Sequence, residues 1–161
     1  MKDVRITHIG GPTVLIEVGG WRLLTDPTFD PPGQKYNFGW GSSSRKLAGP
    51  AIAAADLPPI DAVLLSHDHH GDNLDPAGRA LLPSAGVVAT TVAGAKRLGG
   101  GARGLAPWAT TQLEAPGRPT IETPAPGTDP PSRTATPCWP RGALWRSSRR
   151  GPPARARSWR P

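Results

Sequence analysis

Cysteine is almost absent from this chain, since Cys138 is the single one among 161 residues. A lone cysteine cannot form an internal disulfide, so nothing in the sequence indicates an oxidising compartment. No stretch is long and apolar enough to span a bilayer, and Met1–Asp3 leads directly into an alternating strand pattern, unlike a signal peptide. We therefore expect a cytoplasmic protein with no membrane partner.

Acidic residues and lysine are scarce at the end of the chain. Residues 115–161 contain nine arginines, no lysine and only two acids, Glu122 and Asp129, so the whole net charge of +7 lies there. The same segment holds 11 of the 21 prolines, and no hydrophobic period of a helix or strand survives in it. We expect a partial domain over residues 1–122 and a low-complexity, disordered tail over residues 123–161.

Regular hydrophobic patterns fill most of the first 114 residues. Three short β-branched segments separated by glycine turns predict an antiparallel meander. Two continuous apolar runs, each followed by a helical segment, predict a parallel βαβ section. We therefore expect the α/β class, with the antiparallel meander as an α+β element at its start. The predicted strands cover residues 4–9, 13–18, 21–25, 61–66 and 86–90, with shorter strands between 105 and 122, and the predicted helices cover residues 77–82 and 92–98.

The hydrophobic pattern dissolves between Pro27 and Pro59. This segment is rich in proline and serine and carries three aromatic residues, Tyr36, Phe38 and Trp40. A structureless connection of this length is uncommon in a compact domain and is often functional. Two interpretations stay open: an irregular surface loop that its aromatic residues pin to the core, and a flap over a substrate cleft.

Three histidines and three carboxylates occur within nine residues, directly after the predicted strand that ends at Ser66. Ligands collect at the carboxyl ends of strands in α/β sheets, and His67 and His69 are close enough in a loop to face one point. Neutral imidazole suits Zn²⁺, whose bound water ionises near about pH 7, and Asp68 or Asp72 can orient that water or move its proton. The alternative is a polar cap-and-turn segment with solvent-facing histidines.

The run Leu64-Leu65-Ser66-His67-Asp68-His69 resembles the metal motif H-x-H-x-D-H of the metallo-β-lactamase superfamily. Residues 7–17 and Leu24-Thr25-Asp26-Pro27 resemble the start of its lactonase-like branch, which includes L-ascorbate-6-phosphate lactonase. The resemblance covers residues 3–122. It implies the N-terminal half of an αββα sandwich, one or two zinc ions between the sheets, and hydrolysis of a small-molecule substrate by a metal-bound hydroxide.

The motif departs from the superfamily pattern after His69. Without a gap, Gly71 stands in place of Asp and Asp72 in place of His; with one extra residue, Asp72-Asn73 stands in place of Asp-His, and either His69 or His70 is the second histidine. We prefer the second register because it keeps the carboxylate. The candidate metal ligands are then His67, His69, His70 and Asp72, and the candidate catalytic residues are Asp72 and Asp68.

Asn73 in place of His weakens a second metal position, since an amide is a poor zinc ligand. One ion, or a harder divalent ion, therefore fits the motif as well as two zinc ions. His8 and Asp26 can also face the cleft. For His8 we favour a hydrogen-bonded structural role, and for Asp26 a turn-capping role.

Histidine is absent after His70, whereas the resemblance implies two further histidines and a bridging aspartate downstream. The tail has the Arg, Pro, Gly and Ala bias expected of a GC-rich gene read in the wrong frame. One coding of residues 126–130 reads Arg-His-Gly-Pro in another frame, so we hypothesise a frameshift between Thr123 and Gly127, which the coding DNA would test. We expect a truncated chain with weak or no hydrolase activity.

Two alternative functions stay open. The arginine-rich end, with its tryptophans, offers phosphate contacts and stacking surfaces for nucleic acid or another acidic surface, although wrong-frame reading yields the same composition without selection. A metallo-β-lactamase-like nuclease would need the missing downstream motifs. We do not expect a nucleic-acid partner. The residues of the basic surface are Arg146, Arg149, Arg150, Arg155, Arg157 and Arg160, with Trp145 and Trp159.

Overall fold

The computed structural model describes residues 3–39 and 42–124. The strands are β1 (Val4–Gly10), β2 (Thr13–Val18), β3 (Trp21–Thr25), β4 (Lys35–Gly39), β5 (Ser42–Arg45), β6 (Ala62–Leu64), β7 (Val87–Thr91), β8 (Arg103–Leu105), β9 (Thr110–Leu113) and β10 (Ile121–Pro124). The helices are α1 (Pro76–Leu81) and α2 (Val92–Leu98), with 3₁₀ turns at Ala54–Asp56 and Leu82–Ser84. None of the helices in these ranges is long and apolar enough to cross a membrane.

Six strands form one mixed sheet in the order β1-β2-β3-β6-β7-β8. The first three pair antiparallel, as the predicted meander requires. Strands β3, β6, β7 and β8 pair parallel. Helices α1 and α2 carry the chain back from β6 to β7 and from β7 to β8, and the segment that contains the β4–β5 hairpin carries it from β3 to β6. The predicted parallel βαβ section and the α/β class are therefore confirmed.

The sheet has an apolar cluster on each face, because successive residues of a strand point to opposite sides. Leu24 and Val63 belong to the cluster that packs against the helices. Leu23 and Ala62 belong to the opposite cluster, which Leu113 of the β9–β10 hairpin covers. The described residues thus supply a helical layer, a full sheet and a two-stranded start of a second sheet, which is the order expected for one end of an αββα sandwich.

Both helices begin at residues whose side chains cap them. The carboxylate of Asp75 accepts a hydrogen bond from the Gly78 backbone N–H at 2.7 Å, as an N-cap does, and Pro76 occupies the first turn. The Thr91 hydroxyl caps α2 through the Gly94 N–H, and Gly99 ends that helix with a positive φ of 65°. These boundaries agree with the sequence prediction to within one residue.

The segment between Pro27 and Pro59 is more regular than the sequence predicts. Strands β4 and β5 pair antiparallel across it as a hairpin, and Tyr36 is buried. The prediction failed because serine and glycine do not give the β-branched alternation by which strands are recognised. The side chains of Phe38 and Trp40 lie outside the described residues, and so does nearly all of the predicted tail, 125–161.

Replacing Gly78 by Ala is expected to lower the free energy of unfolding by about 2 kcal/mol, a typical cost of overpacking. A Cβ at this position overlaps the carbonyl oxygen of Pro27 and lies 2.6 Å from its carbonyl carbon, and a backbone group cannot rotate away. Helix propensity alone favours Ala by about 1 kcal/mol, so the two effects have opposite signs. Urea unfolding distinguishes them, with Ala80→Gly in the same helix as the control; a stabilised Gly78→Ala variant would contradict the close contact.

Candidate functional site

The candidate site lies where two parallel strands end at the same edge of the sheet. Asp26 directly follows β3, and Ser66 follows β6 after one residue; we call residues 67–75 the histidine loop. The N–H of Leu65 still donates to Ala89 O of β7 at 2.9 Å, so the loop departs from a fixed point. Ligand sites of open α/β sheets form at such carboxyl ends.

Three imidazole rings of the histidine loop contact one another. The ring centroids are 5.1 Å apart for His67 and His69, 5.0 Å for His67 and His70, and 4.2 Å for His69 and His70. The shortest approach of two ring nitrogens is between His67 Nε2 and His70 Nδ1, at 3.2 Å. His69 is the exposed member of the three. Loss of solvent, and then the neighbouring His70 and His67, lower the pKa of His69.

Asp26 and Ser66 orient the His67 ring. Asp26 Oδ1 accepts hydrogen bonds from Ser66 N at 2.7 Å and from Ser66 Oγ at 2.8 Å. Ser66 Oγ also lies 3.0 Å from His67 Nδ1. Because the hydroxyl proton goes to Asp26, the proton of the neutral imidazole is assigned to His67 Nδ1, which donates it to Ser66 Oγ. His67 Nε2 then accepts a hydrogen bond from His70 Nδ1, and its lone pair is the one that a metal-binding imidazole requires. A metal ion held by both nitrogens would displace the His70 proton.

Asp26 adopts a conformation that only local contacts can maintain. Its φ is +30°, which is strained for a residue with a side chain. Burial raises the pKa of Asp26, while hydrogen bonds from Ser66 and the nearby His67 and Asn73 act in the opposite direction. The Asn73 amide donates to Ser66 Oγ at 3.1 Å. Backbone strain of this kind gathers at functional sites, and it marks Asp26 as part of this one.

The carboxylates of the histidine loop take other partners. Arg97 Nε lies 2.9 Å from Asp68 Oδ2 and 3.1 Å from Oδ1, and Arg79 donates to the Asp68 carbonyl at 2.9 Å. The hydrogen bonds from Arg97 lower the pKa of Asp68, against its burial. Both Asp68 oxygens are therefore engaged away from a reacting water. Asp72 is exposed, and no group of three His, Cys, Asp or Glu side chains in residues 3–39 and 42–124 is arranged to hold a metal.

The nitrogen pair nevertheless fits one metal ion. Two ligands at about 2.0–2.1 Å from a tetrahedral zinc are about 3.3 Å apart, which follows from the bond length and the tetrahedral angle. His67 Nε2 and His70 Nδ1 are 3.2 Å apart. Neutral imidazoles suit Zn²⁺ and similar divalent ions. The structure thus brings together His67, His69 and His70 of the predicted ligands, with Asp72 outside the group, and favours His70 over His69 as the partner of His67.

Sequence reasoning missed the hydroxyl of Ser66 and gave Asp26 a different role. Asp26 accepts hydrogen bonds from Ser66, which follows the neighbouring strand β6, instead of capping its own turn. The signal was present, because both residues lie within the two segments that resemble the superfamily, but the contact joins positions 40 residues apart. His8 lies away from the loop, with Nε2 3.0 Å from Gly11 O in the β1–β2 turn, which agrees with the structural role that we favoured.

A cavity of about 430 Å³ opens beside the histidine loop. Asp72 and Asn73 contribute one wall, and the β4–β5 hairpin with the chain after it contributes another. Asn73 also contacts Ser66, which contacts His67, so the cavity and the imidazoles share one hydrogen-bonded chain. The lining residues are Gly11, Pro12, Thr28, Tyr36, Ser44, Arg45, Lys46, Leu47, Ala48, Asp72 and Asn73.

The chain is similar in sequence to short parts of longer proteins. No protein-family model matches it. An uncharacterized protein of Mycobacterium tuberculosis is 36% identical over 70 residues, which cover 44% of this chain and 18% of that protein. N-acyl-phosphatidylethanolamine-hydrolyzing phospholipase D 1 of Caenorhabditis elegans is 32% identical over 69 residues, which cover 43% of this chain and 18% of that protein. The match thus spans less than a fifth of these curated relatives.

The chain is also similar to a solved hydrolase structure. Isothiocyanate hydrolase from Delia radicum gut bacteria superposes with a TM-score of 0.51 and 22% identity, covering 70% of this chain and 44% of that chain. At this identity the likeness concerns the fold alone. The described residues therefore have the fold of part of that hydrolase, in agreement with the predicted class.

Proposed function

We propose that this chain is part of a metal-dependent hydrolase of the metallo-β-lactamase type and holds one divalent ion through His67 and His70. The observation that carries the proposal is the 3.2 Å separation of His67 Nε2 and His70 Nδ1, with the His67 tautomer set by Ser66. The sequence motif and the two similar proteins whose names describe hydrolysis support the same reaction class. Zn²⁺ is the first candidate, and a harder divalent ion is the second.

The residues of the chain have distinct parts in this proposal. A bound divalent ion lowers the pKa of a coordinated water towards about 7 and polarises a substrate carbonyl or phosphoryl oxygen. Ser66 and Asp26 keep His67 in the required tautomer and orientation. Asp72, exposed at the cavity wall, is the carboxylate that can accept or return a proton there. Asp68 is left out of the chemistry because Arg97 engages it.

The substrate in this proposal is a small molecule that enters the 430 Å³ cavity. That volume lies within the range of about 300–1,000 Å³ common for small-molecule sites. Tyr36 and Pro12 give apolar contact and Arg45 gives a positive charge at its wall. We propose a lactone or a related ester as the substrate class, as the lactonase-like segments of the sequence imply. A cytoplasmic location stays a prediction.

A metal titration of the purified full chain tests the proposal. We expect the metal-free protein to bind one Co²⁺ per chain, with visible absorption bands of a nitrogen-liganded site, and Zn²⁺ to displace it. His8→Ala is the matched control, because His8 lies in a turn away from the loop. A chain that takes up no Co²⁺, or that loses it on His8→Ala, would contradict the proposal.

Hydrolysis by the Zn²⁺-loaded chain is expected to be weak. The described residues offer two well-placed nitrogen ligands and no group of three, whereas catalytic zinc sites ordinarily have three protein ligands. Turnover of a lactone, an ester and a phosphodiester would be compared with and without a chelator. Fast, chelator-sensitive turnover would support the reaction class and show that the expectation of weak activity is wrong.

A further inference from the structure

Tyr36 of hairpin β4–β5 makes a direct contact with the histidine loop. A Cβ atom built on Gly71 would lie 2.5 Å from Tyr36 Cδ1, 3.1 Å from Cε1 and 3.2 Å from Cγ. The ring therefore occupies the space that any larger side chain at position 71 needs. Gly71 is not among the glycines with positive φ. The Tyr36 contact, and not the backbone conformation, is thus what requires glycine here.

The end of the histidine loop is held by a second set of contacts, from Asp30 before the hairpin, Tyr36 within it and Lys46 directly after it. Asp75 is fully buried, and its Oδ2 accepts hydrogen bonds from Lys46 Nζ at 3.2 Å and from Asp30 N at 2.6 Å. The Tyr36 hydroxyl lies 3.4 Å from Asp30 Oδ2 and 3.5 Å from Asp75 Oδ2. Burial, and then the two carboxylates, raise the pKa of Tyr36, so the phenol keeps its proton and acts as a donor.

These contacts fix the loop at successive points. Ser66 is held by Asp26 before the loop begins, and Asp75 is held by Lys46 where it ends. Between these points Gly71 directly follows His70, and the Tyr36 ring limits where the backbone of both residues can lie. The separation of His67 and His70 therefore depends on a contact that the hairpin provides.

We propose that Tyr36 and Lys46 are positioning residues that set the separation of the His67 and His70 nitrogens, through Gly71 and Asp75. This inference rests on the proposed function, because the separation matters for binding a metal ion. Tyr36 of the hairpin and Lys46 directly after it also line the cavity. One element then places the metal ligands and forms a wall of the substrate site.

A double-mutant cycle on Gly71 and Tyr36 tests this coupling, with Co²⁺ alone as the probe. We expect Gly71→Ala to weaken Co²⁺ binding by about tenfold, within the 10–100-fold range of residues that orient ligands. Tyr36→Ala alone is expected to weaken Co²⁺ binding by a similar factor, because the loop loses the ring that limits it. The double variant is expected to bind Co²⁺ no more weakly than either single variant, since both changes act on one contact. Tyr36→Phe keeps the ring and is expected to bind Co²⁺ within about threefold of the wild type. Asn37→Ala, exposed in the same strand, is the control.

Two results would overturn the positioning role. One is a Gly71→Ala variant that binds Co²⁺ like the wild type. The other is a double variant whose loss of Co²⁺ binding free energy is the sum of the two single losses, because independent losses add whereas coupled ones do not. A Gly71→Ala variant that loses Co²⁺ affinity while keeping most of its stability against urea would separate positioning from general support of the fold.

A metal-free measurement keeps this test separate from the proposed function. The chain has four histidines, so their ring-proton NMR signals can be assigned by single replacements. We expect Gly71→Ala and Tyr36→Ala each to move the signals of His67 and His70 but not of His8. If the wild type binds no Co²⁺ but these shifts occur, the metal proposal fails while the positioning role stands; unmoved signals overturn the positioning role.

Discussion

Replacing Asp75 by Ala is expected to lower the free energy of unfolding by about 4 kcal/mol, the scale of a broken buried ion pair. Asp75 is fully buried, and its carboxylate accepts from four donors on different segments. They are Gly78 N at the start of α1, Asp30 N, Lys46 Nζ and the Tyr36 hydroxyl. Its removal leaves the Lys46 ammonium, whose side chain is 12% exposed, without this partner. It also leaves buried backbone donors unsatisfied, which adds to the cost.

Urea unfolding followed by circular dichroism measures this effect, with Asp56→Ala as the control because Asp56 is exposed in a 3₁₀ turn. Asp75→Asn is expected to be intermediate, since Asn also caps helices but lacks the charge that Lys46 requires. A loss of less than about 1 kcal/mol in Asp75→Ala, within the range of a single cap, would show that this buried network does not hold the loop.

Replacing His70 by Ala is expected to weaken Co²⁺ binding at least about 100-fold, because it removes one of the two ligating nitrogens and not merely a residue that orients them. His67→Ala is expected to have an effect of the same size. His69→Ala is expected to change the affinity by less than about threefold, since this exposed ring is not part of the closest nitrogen pair. Competition with a chromophoric chelator measures all three dissociation constants on one scale.

This comparison decides which of His69 and His70 is the partner of His67 in the histidine motif. If His69→Ala abolishes Co²⁺ binding and His70→Ala does not, the ligand pair is His67 and His69, and the His67–His70 contact is a hydrogen bond only. Equal losses in both variants would indicate that all three imidazoles ligate. Unfolding in urea, measured in parallel, checks that each variant retains the wild-type fold.

Local patterns predicted the elements of the sheet well. The periods and turn residues placed the meander, the buried strand before His67 and both helices within one or two residues, because each signal is contained in a few consecutive positions. The hairpin β4–β5 was missed, because the serines of β5 carry no strand pattern. Tyr36 of β4 and Lys46, directly after β5, also contact the buried carboxylate of Asp75 far along the chain.

The candidate site was predicted only in part. The cluster of histidines and carboxylates identified the loop, but residue types alone do not say which imidazole faces which. Asp68 was predicted to act on a water, whereas the structure places it on Arg97, 29 residues later. The spacing of residues along the chain does not predict this partner, because Arg97 reaches the histidine loop only when α2 folds back over it.

The sequence by itself determined the strands of the main sheet, both helices and the place of the histidines after a buried strand. These depend on period and on neighbours a few positions apart. The tertiary structure alone decided that His70 approaches His67, that Asp26 sets its tautomer through Ser66, and that Gly71 lies against Tyr36. The Asp26–Ser66 and Gly71–Tyr36 contacts join segments far apart in the sequence, so the free energy of their burial and hydrogen bonding becomes available only when those segments meet. The His67–His70 contact joins residues three positions apart, and the conformation of the folded loop decides how the two rings face each other.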